Sequence, residues 1–422
     1  MRIAIIGAGI AGNTLAWHLH PDHDVTVFEA DQHVGGHTHT HHIEAFGREY
    51  QIDTGFIVYN DWTYPNFIEM LDQLGVETQS SSMSFSVHDE SSGLEYNGTS
   101  LNSLFAQRMN LIRPSFLGMI KDILRFNKEA PALLDQAHTD MPFGEYLKVN
   151  HYGKHFIKHY VIPMGSAIWS ASPDQMFAFP AKFFIRFFHN HGMLSVSERP
   201  EWRVIKGGSK AYVEKLTASF KDRIRLSSPI ESVSRTKAGV IVKPKSKPAE
   251  TFDWVFFACH SDQALSMLGD ATKAEIEVLS ALPYQNNQIV LHTDANLMPK
   301  KKLAWAAWNY HLTEKPLERA AVTYNMNILQ SLESPEPFLV TLNHTDKIDP
   351  SKIIKTLYYS HPVFTPEGIA AQARHAEISG VNRTGFAGAY WRNGFHEDGV
   401  VSALAALEHF NRAQASKANA HG

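Results

Sequence analysis

The sequence predicts an α/β protein in two parts, and three observations predict it. An apolar, β-branched run, Ile3–Ile6, leads into Gly7-Ala8-Gly9-Ile10-Ala11-Gly12 and then a helical stretch to about Leu19. A second run, Val25-Thr26-Val27-Phe28, ends on an acid, Glu29, and closes a βαβ unit. Far downstream, Trp254–Ala258 and Thr384–Gly388 read as further buried strands, the second entering another glycine-rich loop. The expected architecture is a Rossmann-like nucleotide-binding domain built from discontinuous segments, with an α+β substrate domain between them.

A chain of 422 residues suggests two or three domains, and two are read here. Residues 1–75, 200–270 and 365–422 are assigned to the nucleotide domain, and 76–199 and 271–364 to the substrate domain. Hydrophobic residues at 44% against 19% charged are enough for a sizeable core. A net charge of −4 offers no global basic field to hold nucleic acid. The single cysteine, Cys259, excludes an intrachain disulfide framework and cysteine-rich metal sites, and it reads as filler at a strand end. The N-terminus enters the glycine motif without the pattern of a secretory leader, and no run of eighteen apolar residues occurs. The expected location is the cytoplasm, with peripheral contact at the inner membrane surface left open.

Between the outer segments, Leu101–Leu134 carries apolar residues at three-and-four spacing broken at Arg113-Pro114, which predicts two or three helices. Arg108, Arg113, Lys121, Arg125 and Lys128 interleave with apolar residues there, as on a solvated helix face or a surface lying on an anionic membrane. Ser227–Ala258 reads as a hairpin region, and Asn286–Thr345 as strands of a second sheet. The last helix is expected from Gly399 to Asn411, with Asp398 as its N-cap.

The glycines have distinct tasks. Gly7 permits the tight turn, Gly9 lets backbone approach a pyrophosphate, and Gly12 lets the helix pack on the sheet; the intervening Ala8, Ile10 and Ala11 complete the loop. Phosphates then face unpaired N–H groups at a helix N-terminus. Glu29, twenty residues after Gly9, is placed to accept hydrogen bonds from ribose hydroxyls and would repel a 2′-phosphate.

The run Glu29-Ala30-Asp31-Gln32-His33-Val34-Gly35-Gly36-His37, followed by Asp53-Thr54-Gly55-Phe56, resembles the flavin amine oxidase superfamily, which includes carotenoid desaturases and protoporphyrinogen oxidases. The resemblance implies FAD as cofactor. It places Gly35 and Gly36 along the phosphates and ribityl chain, with His37 where a basic residue often follows, and Thr54, Gly55 and Phe56 beside the isoalloxazine. It also matches Ile230 to an adenine contact and Phe386-Ala387-Gly388-Ala389-Tyr390, with Gly394, to the last flavin-binding segment. Ala389 stands where an acid commonly binds the ribityl hydroxyls, so Glu397 or Asp398 is the expected substitute, and the helix at Gly399 and Val400 is expected to aim its N-terminus at the flavin. Gly36-His37-Thr38-His39-Thr40, Trp202–Ser209 and Gly394–Gly399 are most similar to a bacterial branch associated with fatty-acyl methyltransferases.

Flavin dehydrogenation depends largely on positioning, so catalytic candidates are few. Tyr390 and Trp391 are candidate aromatic walls, and His396, His260 and His37 can exchange a proton near neutral pH. Each has an ordinary structural alternative. No metal site is expected, although His37, His39, His41 and His42 lie close in sequence. Phe177, Phe179, Phe183, Phe184, Phe187 and Phe188 read as core or as an apolar tunnel ending at His189-Asn190-His191. The expected activity is FAD-dependent desaturation of an apolar substrate by hydride transfer to flavin, with a lipid acyl chain as the candidate substrate; the open alternatives are an amine oxidase and a flavin-binding protein without turnover.

Overall fold

Arg2–Ile6 lies at the centre of a five-stranded parallel sheet, in the order Ile224–Arg225, Asp24–Phe28, Arg2–Ile6, Trp254–Phe257, Thr384–Phe386. The computed structural model describes residues 1–136, 141–315 and 317–421. Ile3, Ala4 and Ile5 are completely buried, because helices or further strands cover both faces of this sheet. The glycine-motif helix, Ile10–Leu19, and the last helix, His396–His421, pack on one face around Leu15, Ala403 and Phe410. The other face packs against the antiparallel sheet Ile230–Arg235, Val240–Pro244, Glu250–Phe252 through Phe28, Val242 and Phe257.

A seven-stranded sheet forms the second layer system, in the order Ile353–Pro362, Tyr284–His292, Leu339–Leu342, Val322–Asn325, Trp308–Leu312, Phe85–Asp89, Leu94–Asn97. Its neighbours are antiparallel except for Trp308–Leu312 and Phe85–Asp89. Helices from Pro114 to Asn190 pack on it and enclose an aromatic core that includes Phe126, Phe143, Phe156 and Phe184. The fold is thus α/β, with a Rossmann-like parallel sheet and a second, mixed sheet.

Most expected elements occur within a residue or two. The expected helices between Leu101 and Leu134 are a short helix at Leu101–Leu104, a long one at Pro114–Glu129 that starts at the proline, and two 3₁₀ turns. The last helix corrects the sequence reading: it begins at His396 and continues to His421, where Gly399–Asn411 was expected. Asp398 is therefore inside the first turn, where its Oδ2 accepts the Phe395 N–H at 2.9 Å. Gly399 sits under Ile10, whose Cγ2 would lie 2.6 Å from an added Cβ, so this glycine serves helix packing. No described helix is long and apolar enough to cross a membrane.

Candidate cofactor site and adjoining chamber

The carboxyl ends of the parallel strands border a cavity of about 960 Å³. Gly7 turns the chain out of the first strand with φ +106°, and an added Cβ would lie 2.5 Å from the Ala258 carbonyl oxygen. Gly12 would place a Cβ 1.9 Å from the Gly7 oxygen, so both glycines are required by the protein itself. Gly9 differs: it lines the cavity, and an added Cβ would meet nothing within 4 Å. No side chain caps the helix that Gly9 opens, which leaves its first N–H groups available to an anion.

Gly35 and Gly36 complete the cradle. The Gly35 N–H donates to the Ala8 carbonyl at 2.8 Å, and a Cβ on Gly36 would stand 3.2 Å from Gly9 Cα. Glu29 is held at both oxygens, Oε2 accepting the Ala8 N–H at 2.7 Å and Oε1 the Asp31 N–H at 2.9 Å. Each oxygen retains a second lone pair for a ribose hydroxyl. Ala30, Ile230, Thr54, Gly55, Phe56 and Gly388 join Gly7, Ile10 and Ala11 on the cavity wall. The cavity's described lining contains no lysine or arginine, so phosphate recognition there falls to backbone N–H groups and the helix N-terminus.

Five histidines, His33, His37, His260, His361 and His396, also line the cavity. Desolvation first, then neighbouring charge, holds His37 down at about 4 and His396 at about 3; the same causes put His260 at about 4 and His361 at about 3. His396 stacks on Phe56 with ring centroids 3.6 Å apart and shares a 2.5 Å hydrogen bond between its Nε2 and the Tyr212 hydroxyl. Thr38 Oγ1 lies 2.7 Å from the same hydroxyl. His260 stacks on Tyr284 at 4.1 Å. His37 Nε2 and the Tyr390 hydroxyl are buried and have no hydrogen-bond partner among the described residues, so each can serve a ligand in the cavity. A phosphate-bearing aromatic cofactor fits these residues: an open glycine face, free helix N–H groups, an acid at ribose distance and orphaned polar atoms further in.

Other expected site residues lie elsewhere. Ala8 and Gly12 support the loop from behind, and Val400 is packed against Phe56 and Tyr212. Glu397 is committed to the helix Pro65–Gln73, accepting the Asn66 N–H at 3.1 Å, the Asn66 side-chain amide at 2.6 Å and the Phe67 N–H at 2.9 Å. The expectation that Glu397 or Asp398 replaces a ribityl acid is corrected accordingly, because both carboxylates have backbone partners and neither residue lines the cavity. Trp391 also lies off the cavity, against His375 at 4.2 Å. Cys259 does line it, with its thiol pushed up to about 12 by burial.

An apolar chamber of about 410 Å³ adjoins this cavity, and Val58, Tyr64, Ile168, Trp308 and Phe395 line both. Met83, Phe85, Tyr96, Met164, Phe187 and Met193 form much of its wall. Its exposed lining residues are Gly98, Thr99, Arg199 and Glu201. Of the six phenylalanines singled out in the sequence, Phe187 faces the chamber, stacked on His191 at 3.8 Å, whereas Phe179, Phe184 and Phe188 are core. Sequence reasoning missed Tyr64, Ile168 and Trp308, which come from three distant segments with no shared motif.

The cavity histidines predict acid lability. In the unfolded chain they return toward 6.5, so between about pH 4 and 6.5 the unfolded state binds more protons and stability falls as pH falls. Asp53 and Asp398, both raised to about 6 chiefly by burial, act in the opposite sense over a narrower range. The histidines outweigh them, and we expect the melting temperature to drop on the order of 10 °C from pH 7 to pH 5. Equal melting temperatures at the two pH values would contradict this account.

Solved structures share the whole architecture. A CLA-producing fatty acid isomerase from P. acnes is 17% identical at a TM-score of 0.69, covering 96% of this chain and 98% of that one. Cyclohexylamine oxidase from Brevibacterium oxydans IH-35A is 15% identical at a TM-score of 0.70, covering 98% and 99%. A putrescine oxidase bound to putrescine is 15% identical at 0.68, covering 97% and 99%. At these identities the likeness concerns the fold. No curated protein matches the sequence. Residues 10–304 match the profile described as flavin containing amine oxidoreductase, and the chain belongs to that family, as a flavin-dependent oxidoreductase.

Proposed function

We propose that the protein binds FAD and desaturates a lipid acyl chain or a similarly long hydrocarbon. The observation that carries this reading is the apolar chamber of about 410 Å³, continuous in its lining with the cofactor cavity. Glu29, placed at the end of the second strand, supports the adenosine half of FAD, and Ile230 on the facing wall supports adenine contact. In this reading residues 1–75, 200–270 and 365–422 serve the cofactor, and 76–199 and 271–364 the substrate. The resemblance to a bacterial branch associated with fatty-acyl methyltransferases points to the same substrate class.

Bound flavin supplies a hydride acceptor. The chain's contribution is to align a C–H bond at the boundary formed by Ile168, Trp308 and Phe395, and to exclude water along the chamber. His396 and His260 line the same cavity, but burial lowers both well below the neutral range expected from the sequence, so either takes up the proton lost from the adjacent carbon only transiently. Tyr390 contributes an aromatic wall to the cavity.

The test is anaerobic bleaching of the flavin by saturated or methyl-branched acyl lipids against primary and secondary amines. Acyl lipids are expected to bleach it, with desaturated product recovered by mass spectrometry. Bleaching by amines alone overturns the lipid reading in favour of an amine oxidase.

A further inference from the structure

We propose that the surface formed by Leu101 to Lys128 docks on an anionic lipid bilayer beside the chamber mouth. Six large apolar side chains are exposed within this short segment: Leu101 at 77%, Met109 at 69%, Leu111 at 51%, Ile112 at 71%, Leu117 at 42% and Leu124 at 55%. Single exposed leucines are ordinary, but such a concentration marks an interaction surface. The helix Pro114–Glu129 buries Phe116, Met119 and Phe126 on its inner side. Leu117, Lys121, Leu124 and Lys128, spaced by four, three and four residues, form a second stripe on its exposed side.

Charge selects the partner. Arg108, Arg113, Lys121 and Lys128 are exposed among these apolar groups, against an overall net charge of −4. The acids from residue 97 to 129 are Asp122 and Glu129. Asp122 is turned inward, accepting the Gly153 N–H at 2.8 Å and pairing with Arg125 at 3.1 Å, and Glu129 stands at the helix end. The Arg108 guanidinium is tied to the Asn102 and Phe105 carbonyls at 3.2 and 2.8 Å, which holds the Leu101 and Met109 segments together. Apolar groups interleaved with cations match the headgroup boundary of an anionic bilayer. A second copy docked through the same face would set these cations against one another.

The placement also gives the surface a use. The exposed residues of the chamber lining are Gly98, Thr99, Arg199 and Glu201, and Leu101 follows Thr99 by two positions. A bilayer held by Leu101–Lys128 lies next to the opening, and delivery of an acyl chain through it rests on the lipid-substrate reading. The docking itself does not, and its test needs no turnover.

The experiment is cosedimentation of the flavin-loaded protein with phosphatidylglycerol or phosphatidylcholine vesicles at low and high salt. Binding to phosphatidylglycerol, weakened by salt, is the expected result. Ile112→Ser combined with Met109→Ser should lower the partition coefficient about tenfold or more, by removing buried apolar area. Lys121→Glu should lower it several-fold. Both variants should keep wild-type flavin absorbance and the wild-type mass in solution. Absence of vesicle binding at low salt, equal binding by the variants, or self-association abolished by the same substitutions would overturn the proposal.

Discussion

Gly9→Val is expected to give a folded, colourless protein. The added side chain projects into the cavity and meets no protein atom at its Cβ, so the apo fold should unfold within about 1 kcal/mol of wild type. The cofactor phosphates need that same space, and flavin affinity should fall at least 100-fold, on the order of 3 kcal/mol. Gly12→Val is the contrasting case: its Cβ would stand 1.9 Å from the Gly7 carbonyl oxygen, so the first βαβ unit itself cannot form undisturbed. Absorbance near the flavin band and urea unfolding of both variants separate the two outcomes. A Gly9→Val protein with wild-type flavin content would remove the basis for placing the phosphates at this turn.

The second large effect is expected at Glu397, which touches neither cavity. Its buried carboxylate accepts three N–H groups from Asn66 and Phe67 at the start of Pro65–Gln73, where a negative charge also complements the helix dipole. Glu397→Ala leaves these donors without a partner and should cost about 2–4 kcal/mol in urea unfolding. It should also weaken flavin binding, because Phe67 packs at 5.1 Å on His396 and at 5.4 Å on Phe56, both on the cavity wall. Glu397→Gln, which keeps an acceptor oxygen, should recover part of both losses. Unchanged stability in Glu397→Ala would show that the two helices are held together by apolar packing alone.

The legible part of the site is the part made by local sequence. Gly7, Gly9 and Gly12 act within one turn, and Glu29 is set by the length of one helix and one strand, so their spacing survives as a motif. Gly35 and Gly36 are legible for the same reason, since their backbone packs directly on the loop that precedes them. Glu397 and Asp398 were misread because a carboxylate near a glycine-rich loop has several possible donors, and only the approach of Asn66 and Phe67 decides which it meets. The phenylalanine-rich segment shows the same limit: helical spacing groups Phe183, Phe184, Phe187 and Phe188 on Ala181–Asn190, but the packing of neighbouring elements decides that Phe187 faces the chamber and Phe184 the core.

The first βαβ unit with its glycine turn and the apolar character of the middle segments were legible in the sequence, because hydrophobic periodicity and glycine spacing are local properties of the chain, whereas the flavin class came from the family resemblance. Tertiary structure alone decided the chamber, whose walls join Val58, Ile168, Trp308 and Phe395 across more than 300 positions, and the neutrality of the cavity histidines. Enclosure and desolvation are produced by many segments closing together, and no short stretch of sequence records them.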